Sequence, residues 1–460
     1  MIEGEDIGAI AQSTLRVFPA RDGRRRRVLV SAYHFSPVRG SEEGIGWNIC
    51  SRLAAYHDVS VLTRSWSEKL WPQDEQHFED AERFMRNNGP VRGLTVHFVR
   101  SPPLSRLLQT YPHVSLRSPL YFQGYAAWQR AAYRKAVRLH HERPFDVTHQ
   151  LTTTSFREPG YLWKLDAPFI WGPTGGGGNI PWSYFADFSN HDRLYYALKN
   201  IANRIHVWTK WRSRRASRLA KRVLVNSADL KTMMGRWGAT PHVMLDMGAP
   251  NWRGQVRCFD GKRPLRLCWI GLHIGRKGLS LILHVLAELK QRGLAERVHL
   301  TIIGSGPETE VWQALCRQLG VQEMTTWLGQ VPFLQMRHTF ESQDALVMSS
   351  LQEGTPSVVM EALAIGLPVL CHDVAGMSFA IDESCGVKIP FRDRQTSIAG
   401  FADAAFRLAT SQGLLSGLSE GALRRSKALS WDAKVQEISN FYDALGVKLD
   451  RPAYSRQSFF

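Results

Sequence analysis

The sequence predicts an α/β protein with two doubly wound, Rossmann-like domains that face each other across a cleft. The chain has 460 residues, which is more than a single hydrophobic core usually organises. Short strand-like runs alternate with helical ones in the first half, and the same alternation restarts at residue 265. Such alternation is typical of parallel sheets whose ligand sites lie beyond the carboxyl ends of the strands.

Six strand-like runs divide the first half of the chain, and five divide the second. The first set lies at residues 28–33, 58–63, 94–99, 145–150, 168–173 and 222–227. The second set lies at residues 265–271, 298–306, 325–331, 344–350 and 367–373. Residues 247–264 are rich in Gly, Pro and polar residues without periodicity, which is typical of a linker. We therefore expect domains at residues 1–250 and 265–429, followed by a terminal helix at 430–446.

Positive charge is concentrated in the first half. The net charge is +17, and residues 1–250 contain 35 Lys and Arg against 21 Asp and Glu, which makes them +14. The densest part, residues 191–222, has ten basic residues against one acidic residue, with interleaved aromatics. This pattern fits a membrane surface, an anionic substrate or nucleic acid, and it equally fits an ordinary solvated helix. If a membrane is the partner, the expected contacts are the aromatic and basic side chains of this segment: Tyr195, Tyr196, Trp208, Trp211, Arg212, Arg214, Arg215 and Arg218.

Several other classes of protein are disfavoured. The basic segment lacks the signatures of RNA-binding modules, so we expect no nucleic-acid partner. The six cysteines are scattered, without a C-x-x-C pair or a zinc-like spacing, as is typical of buried thiols in a reducing compartment. No apolar run approaches the length of a membrane span, and the N-terminal region lacks the apolar core of a signal peptide. The expected location is the cytoplasm, with the inner membrane face as a site of peripheral attachment.

Two carboxylates stand out in the stretch LQEGTPSVVMEALAIGLPVLC. Glu353 and Glu361 are eight positions apart in an otherwise small and apolar run. Thr355 followed by Pro356 is a helix-start signal, with a hydroxyl at the N-cap and proline at the first helical position. We therefore expect Glu353 in the loop before a helix and Glu361 within that helix.

The start of this helix suits an anionic ligand. The N–H groups of Ser357 and Val358, together with the helix dipole, can hold a phosphate. Glu361 would lie about 8 Å further along the helix, roughly the reach from a diphosphate to a ribose. Glu361 could then accept hydrogen bonds from ribose hydroxyls, with Glu353 on the other side of the phosphate. An amphipathic helix with one solvated acid is the alternative.

Four glycine-rich loops follow predicted strands, as expected of ligand-binding loops at one edge of each sheet. They lie at residues 38–47, 172–178, 269–278 and 304–308. Each alone is weak evidence, because glycine commonly just makes turns. No G-x-G-x-x-G opens the first helix and no Walker A lysine pattern occurs, which disfavours dinucleotide and P-loop sites.

Several motifs together resemble one enzyme family. The spacing of Glu353 and Glu361 matches an E-x7-E pair inside SLQEGTPSVVMEALAIGLPVL, and RGSEEGIGWNICSRLAAYHDVSVLTR looks like the first glycine loop, helix and second strand of the same family. Residues 430–445 are similar to its last helix. The chain thus resembles glycosyltransferase family 4, retaining sugar transferases of the GT-B fold, in which the last helix crosses back to the first domain. GSEEGIGWN and WGPTGGGG resemble a bacterial branch associated with cell-surface polysaccharide assembly.

The resemblance implies roles for the candidate residues. Glu361 would bind the ribose, Glu353 the hydroxyls of the donor sugar, and the helix start with Gly40 and Lys277 the diphosphate. His149, at a strand end in DVTHQL, would orient or stabilise the reacting centre of the donor sugar. Further substrate-binding candidates lie in the strand-end loops and at the helix starts that follow them: Gly40, Ser41, Gly44, Gly304, Gly306, Gly354, Thr355, Ser357 and Val358.

One departure from the family pattern concerns the diphosphate. The family usually has an arginine directly after the glycine of the strand-end loop, whereas Gly271 is followed by Leu272. Lys277 is in place six residues after that glycine, and the adjacent Arg276 is the candidate substitute. A catalytically inactive protein is the alternative that this departure leaves open.

The implied reaction is transfer of a hexose from a nucleotide-sugar to a hydroxyl acceptor with retention of configuration. No D-x-D pair occurs, so protein cations rather than a metal are expected to neutralise the diphosphate, and no cofactor is expected. The resemblance places the acceptor on the first domain, and its basic character favours a glycan or a polyprenyl-diphosphate-linked acceptor. A GT-B UDP-sugar epimerase and a catalytically inactive basic membrane-surface protein are the alternatives.

Overall fold

The computed structural model describes residues 25–66, 68, 74–109, 118–411 and 413–445. Two parallel β-sheets follow one another along the chain, each flanked by helices. The expected first domain began at residue 1 and the expected last helix ended at Gly446, and both of these ends lie outside the described residues.

The first sheet contains seven strands. They are β1 (Arg27–Ala32), β2 (Asp58–Arg64), β3 (Leu94–Val99), β4 (Val147–Thr152), β5 (Phe169–Thr174), β6 (Arg222–Val225) and β7 (Pro241–Val243). The helices of this half are α1 (Ser41–Leu53), α2 (Asp74–Asn88), α3 (Pro103–Gln109), α4 (Ser118–Glu142), α5 (Asn190–Thr209), α6 (Trp211–Leu219) and α7 (Ala228–Arg236). Every residue of β4 and β5 is buried, as expected when helices cover both faces of a parallel sheet.

The second sheet contains six strands. They are β8 (Leu265–Ile270), β9 (Val298–Ile303), β10 (Thr325–Gly329), β11 (Ala345–Met348), β12 (Val369–His372) and β13 (Gly386–Ile389). The helices are α8 (Leu279–Gln291), α9 (Thr309–Gln318), α10 (Phe333–Glu341), α11 (Ser357–Ala364), α12 (Met377–Ala380), α13 (Arg394–Thr410), α14 (Leu414–Ala428) and α15 (Trp431–Leu445). The short strands β7 and β13 were not predicted, because three or four residues at a sheet edge show too little alternation.

Both sheets share the doubly wound strand order. The first runs β3-β2-β1-β4-β5-β6-β7 and the second β10-β9-β8-β11-β12-β13, with parallel pairing between all neighbouring strands. The strand order reverses between β1 and β4 in one sheet and between β8 and β11 in the other. At these points the loops at the carboxyl ends of the two strands turn to opposite faces of the sheet and leave a crevice between them. Ligands bind in such crevices.

The last helix returns to the first half of the chain. In α15, Asp432 Oδ1 accepts a hydrogen bond from Arg52 Nε of α1 at 3.0 Å. Ser439 lies 2.9 Å from His57, and a parallel bridge between Ala249 and Ser430 joins the two crossing segments. The structure thus confirms that the C-terminal helix crosses back to the first domain.

A second contact between the halves is made by the segment that leads into α5. An apolar cluster joins residues of the first half to Leu281 of α8 and Leu351 of the loop after β11. The members from the first half are Ile180, Tyr184, Phe188, Tyr195 and Tyr196. The start of α5 is therefore packed on the second domain. Within the described part of the chain, no helix is long and apolar enough to cross a membrane.

Candidate active site

Three of the predicted residues meet at the crevice of the second sheet. The loop after β8 carries Arg276 and Lys277, and the loop after β11 carries Glu353. A nitrogen of the Arg276 guanidinium lies 3.0 Å from Glu353 Oε1, and the Lys277 ammonium is in direct contact with the same oxygen. Backbone bonds between the loops, such as Leu351 N–H to the Arg276 carbonyl at 2.8 Å, hold this geometry.

Glu353 is held in its ionised form. Burial would raise the pKa of this carboxyl, but the charges of Lys277 and Arg276 outweigh burial and lower its pKa below the ordinary value. Arg276 also donates to the Gln352 carbonyl at 2.9 Å, which fixes the guanidinium beside the carboxylate. The site therefore contains one buried carboxylate with two cations, and so carries a net positive charge toward an anionic ligand.

The helix after this loop begins one residue later than predicted. Helix α11 starts at Ser357, and Pro356 rather than Thr355 occupies the N-cap position. The Thr355 hydroxyl does not cap the helix, and its Oγ1 is buried without a hydrogen-bond partner in the described structure. The Thr355 amide instead donates to Asp246 at 3.1 Å, so this loop is tied to the first domain. The amides of the first turn, at Ser357 and Val358, begin the helix beside this loop, as the sequence predicted.

Glu361 lies inside α11, as predicted, whereas Glu353 lies in the loop before it. The pKa of Glu361 is raised to about 7, because burial outweighs the opposing effect of a hydrogen bond from the Ser357 side chain. Glu361 is therefore partly protonated at neutral pH, in contrast to Glu353. The helix start separates the two acids, and the pKa of Glu353 is lowered whereas that of Glu361 is raised.

A cavity of about 230 Å³ lies where the loops of the two sheets face each other. Residues from the second domain that line it are Glu353, Gly354, Thr355, Pro356 and Ser357. Residues from the first half are Ser41, Glu42, Ile45, Thr154, Gly175, Gly176, Asn226, Asp246 and Met247. Its volume is that of a small ligand group, and its walls are rich in hydrogen-bonding atoms.

Two acids of this cavity were not among the predicted site residues. Glu42 accepts hydrogen bonds from the Thr154 amide and hydroxyl at 2.8 and 2.6 Å. Burial raises the pKa of Asp246, while the bond from Thr355 and the charge of Lys434 lower it. Glu42 lies in the first turn of α1, and Asp246 lies three residues after β7, the last strand of the first sheet. The glycine-rich loop at residues 38–47 was the available signal for Glu42, whereas the unpredicted strand β7 left no such signal for Asp246.

His149 lies away from this cavity. Its ring is fully buried, Nε2 donates to the Gly172 carbonyl at 2.5 Å, and Nδ1 accepts from the Tyr442 hydroxyl at 2.6 Å. The pKa of His149 is lowered to about 4, because burial outweighs the opposing effect of the bond to Gly172. The ring is therefore neutral. In this geometry His149 joins β4 to α15. Its role at the donor sugar stays a prediction.

The predicted glycines fall into two groups. Gly304 and Gly306 are required by packing, because an added Cβ would lie 2.0 Å from the Gly271 carbonyl oxygen and 2.6 Å from that of His273. Gly44 is similarly close to the Arg39 carbonyl, whereas Gly40, just before α1, has open space around it. Their predicted contacts with substrate remain predictions. Leu272, where the family arginine is absent, is exposed.

These features define a class of protein. Two doubly wound sheets whose carboxyl ends face a shared cleft, with the last helix returned to the first domain, are the GT-B fold. Sucrose-phosphate synthase from Thermosynechococcus elongatus aligns with a TM-score of 0.61 at 17% identity, covering 92% of this chain and 99% of that one. HepE from Anabaena, solved in complex with UDP and glucose, aligns with a TM-score of 0.56 at 13% identity, covering 91% and 100%. At these identities the likeness shows the shared fold.

Sequence comparison identifies the second domain more closely. Residues 262–404 match the family described as "Glycosyl transferases group 1". A D-inositol 3-phosphate glycosyltransferase from Corynebacterium aurimucosum is 27% identical over 181 residues. That match covers 38% of this chain and 42% of the relative, so it spans less than half of the relative's length. The chain therefore carries a group 1 glycosyl transferase domain on a GT-B fold.

Proposed function

We propose that the protein is a retaining glycosyltransferase of family 4 that moves a sugar from a nucleotide-sugar donor to a hydroxyl acceptor. The observation that carries the proposal is the cluster of Glu353, Lys277 and Arg276 at the start of α11, on the wall of a cleft between two doubly wound domains. A nucleotide-sugar has the matching order of groups: a polyhydroxyl sugar, a diphosphate and a ribose. The glycosyl transferase match over residues 262–404 supports the same reading.

The proposed binding mode assigns one group of the donor to each feature. The helix start at Ser357 and Val358, with Lys277 and Arg276, receives the diphosphate. Glu353 accepts hydroxyls of the sugar, and Glu361 accepts those of the ribose. Arg276 supplies the charge that the family places where Leu272 stands, because its guanidinium reaches the same carboxylate as Lys277 does.

In the proposed reaction, the bond from the anomeric carbon to the diphosphate oxygen breaks and a bond to the acceptor oxygen forms on the same face. The acceptor proton passes to the departing diphosphate oxygen. Negative charge grows on the leaving group, so cations and oriented amides that meet this charge lower the barrier. In the proposed binding mode, Lys277, Arg276 and the amides at the start of α11 meet this charge.

The proposal places the acceptor on the first domain. Its excess of positive charge supports a glycan or polyprenyl-diphosphate-linked acceptor in the assembly of a cell-surface polysaccharide. The cavity itself is lined by Glu42 and Asp246, which suit sugar hydroxyls as hydrogen-bond partners. We therefore place the acceptor's phosphates outside this cavity and its reacting sugar within it.

Donor titration tests the proposed function. Calorimetry with UDP-, GDP-, ADP- and dTDP-sugars is expected to identify one preferred nucleotide, and mass spectrometry with added acceptors should detect the sugar transferred. Glu353→Gln is expected to lose transfer, while the exposed control Glu323→Gln retains it. Turnover of a UDP-sugar to its epimer without an acceptor would favour an epimerase instead. Absence of nucleotide binding would contradict both enzymes.

Chelation of metal ions should leave the activity intact. Lys277 and Arg276 supply positive charge where the proposal places the diphosphate, so a divalent ion is not needed to neutralise it. Initial rates in EDTA are expected to stay within about twofold of those without it. Activity that vanishes in EDTA and returns with manganese would contradict metal-independent transfer.

A further inference from the structure

Helix α5 exposes a continuous apolar stripe. The exposed side chains recur at intervals of three and four residues along the helix, so they share one face. They are Leu194, Leu198, Ile201, Ile205 and Trp208, called here the α5 stripe. Trp208 is 77% exposed, and Trp211, at the start of α6, is also exposed. Scattered exposed apolar residues are normal, but a stripe of five along one helix calls for an apolar partner.

The opposite face of α5 is buried. Tyr195 and Tyr196, which the sequence suggested as membrane contacts, pack in the apolar cluster with the second domain, and polar side chains follow further along the same face. Asn200 bonds both backbone groups of Ile180, at 2.8 and 3.2 Å. Asn203 donates to the Gly178 carbonyl at 3.1 Å and Lys199 to Gln352 Oε1 at 2.5 Å. These bonds fix the rotation of the helix, because turning the stripe inward would remove them. The packing of α5 therefore holds the stripe on the outer surface of the protein.

The arginines first expected to meet a membrane are mostly engaged within the protein. Arg212 forms two hydrogen bonds to the buried Glu158, at 2.8 and 2.9 Å. Arg214 donates to the Val207 carbonyl and Arg218 to that of Trp237. Their charges still contribute to the positive field of this region, but their side chains are structural. The α5 stripe is thus the better candidate for direct contact.

We propose that the α5 stripe docks the protein on the surface of a bilayer that contains anionic lipid. The Leu, Ile and Trp side chains would enter the boundary of the acyl chains while the helix lies in the plane of the membrane. Exposed Arg204 is adjacent to the stripe, one turn from both Ile201 and Trp208, and the surrounding segment is strongly basic. Charge therefore favours an anionic surface. Docking of a second copy on this stripe would instead bring the two basic segments together.

The proposal goes beyond the transfer reaction and does not depend on it. Lys199, on the inner face of α5, donates to Gln352, which is adjacent to Glu353. The helix that meets the bilayer is thus also bonded to the loop of the proposed donor site. Docking would place the cleft at the membrane surface, which is where a lipid-linked acceptor is found.

Vesicle co-sedimentation of the full chain tests this proposal. The probes are phosphatidylcholine vesicles with and without about 30% phosphatidylglycerol, at low salt. The wild type is expected to bind the anionic vesicles and to be released by salt. Leu198→Ser/Ile205→Ser should reduce the partition coefficient about 10–100-fold. The matched control Val256→Ser/Val311→Ser removes one exposed apolar side chain from the linker and one from the second domain, and it should bind like the wild type.

Two further measurements separate the outcomes. Brominated lipid should quench the fluorescence of the wild type more than that of Trp208→Phe, which places the stripe in the bilayer. The circular dichroism spectrum and the thermal unfolding midpoint of the double variant should match those of the wild type, which shows that the fold is retained whether or not a nucleotide binds. Equal vesicle binding by the two double variants would overturn the proposal. So would a lipid-free dimer, seen by sedimentation velocity, that only Leu198→Ser/Ile205→Ser abolishes.

Discussion

Lys277→Ala should lower turnover by about 10²–10³-fold while the donor's KM changes less than tenfold. Lys277 is in contact with Glu353 at the crevice of the second sheet, where we place the diphosphate. Charge on that diphosphate grows as the donor bond breaks, so a cation beside it stabilises the transition state more than the bound substrate. Steady-state kinetics with the preferred nucleotide-sugar measures both parameters.

Two control variants make this result specific. Lys277→Arg retains the charge and should recover part of the turnover. Lys290→Ala removes an exposed lysine of α8 that donates to the Gly320 carbonyl, and it should behave like the wild type. Normal turnover with a raised KM would show that Lys277 only binds the donor. That result would refute its assignment to the leaving group.

Glu361→Gln should weaken nucleoside diphosphate binding about 10–100-fold and yet stabilise the free protein at high pH. In the proposed binding mode, the ionised carboxylate is the form that accepts hydrogen bonds from the ribose hydroxyls. Burial raises the pKa of Glu361 to about 7, from an ordinary value of 4.5. Nucleotide affinity of the wild type should therefore fall as the pH is lowered below about 7, because binding must then displace a proton.

The sign of the stability effect follows from the same pKa. The folded protein holds this proton more tightly than the unfolded chain does, so the contribution of Glu361 is most favourable below pH 4.5 and is lost as the pH rises through 7. Glutamine removes that loss, and we expect a gain of about 1–3 kcal/mol in the free energy of unfolding at pH 8. The gain should disappear near the ordinary pKa of glutamate.

Urea unfolding at both pH values and calorimetry with the nucleotide measure the two effects. Glu323→Gln, at an exposed position in the same domain, is the control and should change neither stability nor affinity appreciably. Unchanged nucleotide affinity in Glu361→Gln would refute the ribose assignment. A stability gain that is the same at both pH values would show that burial of the charged form is not its cause.

Local patterns in the sequence were sufficient to predict the two sheets and part of the candidate active site. The alternation of strands and helices predicted both doubly wound domains. The helix-start signal at Thr355 separated Glu353 from Glu361, although the helix begins at Ser357. Parallel strands bring their end loops to one edge, which is why Lys277 and Glu353 meet although 76 positions separate them.

Contacts that depend on how distant elements pack were not predictable in the same way. The bond from Thr355 to Asp246 joins residues 109 positions apart in different domains. The sequence placed His149 in a strand, but it did not predict that helices would bury both faces of β4 and with them the His149 ring. Likewise, the composition of residues 191–222 indicated a basic surface, but only the packing of α5 decides that Asn200 and Asn203 point inward.

The return of α15 to the first domain has a consequence for how the chain folds during synthesis. His149 and Tyr442 are bonded although 293 positions separate them, and Tyr442 is fully buried. At a typical elongation rate, about 15–60 s pass between the emergence of these two residues. During that interval the first domain lacks its last helix and exposes the apolar surface that α15 will cover. A fragment ending at the linker should therefore aggregate or recruit chaperones, and adding residues 431–445 to it should restore solubility.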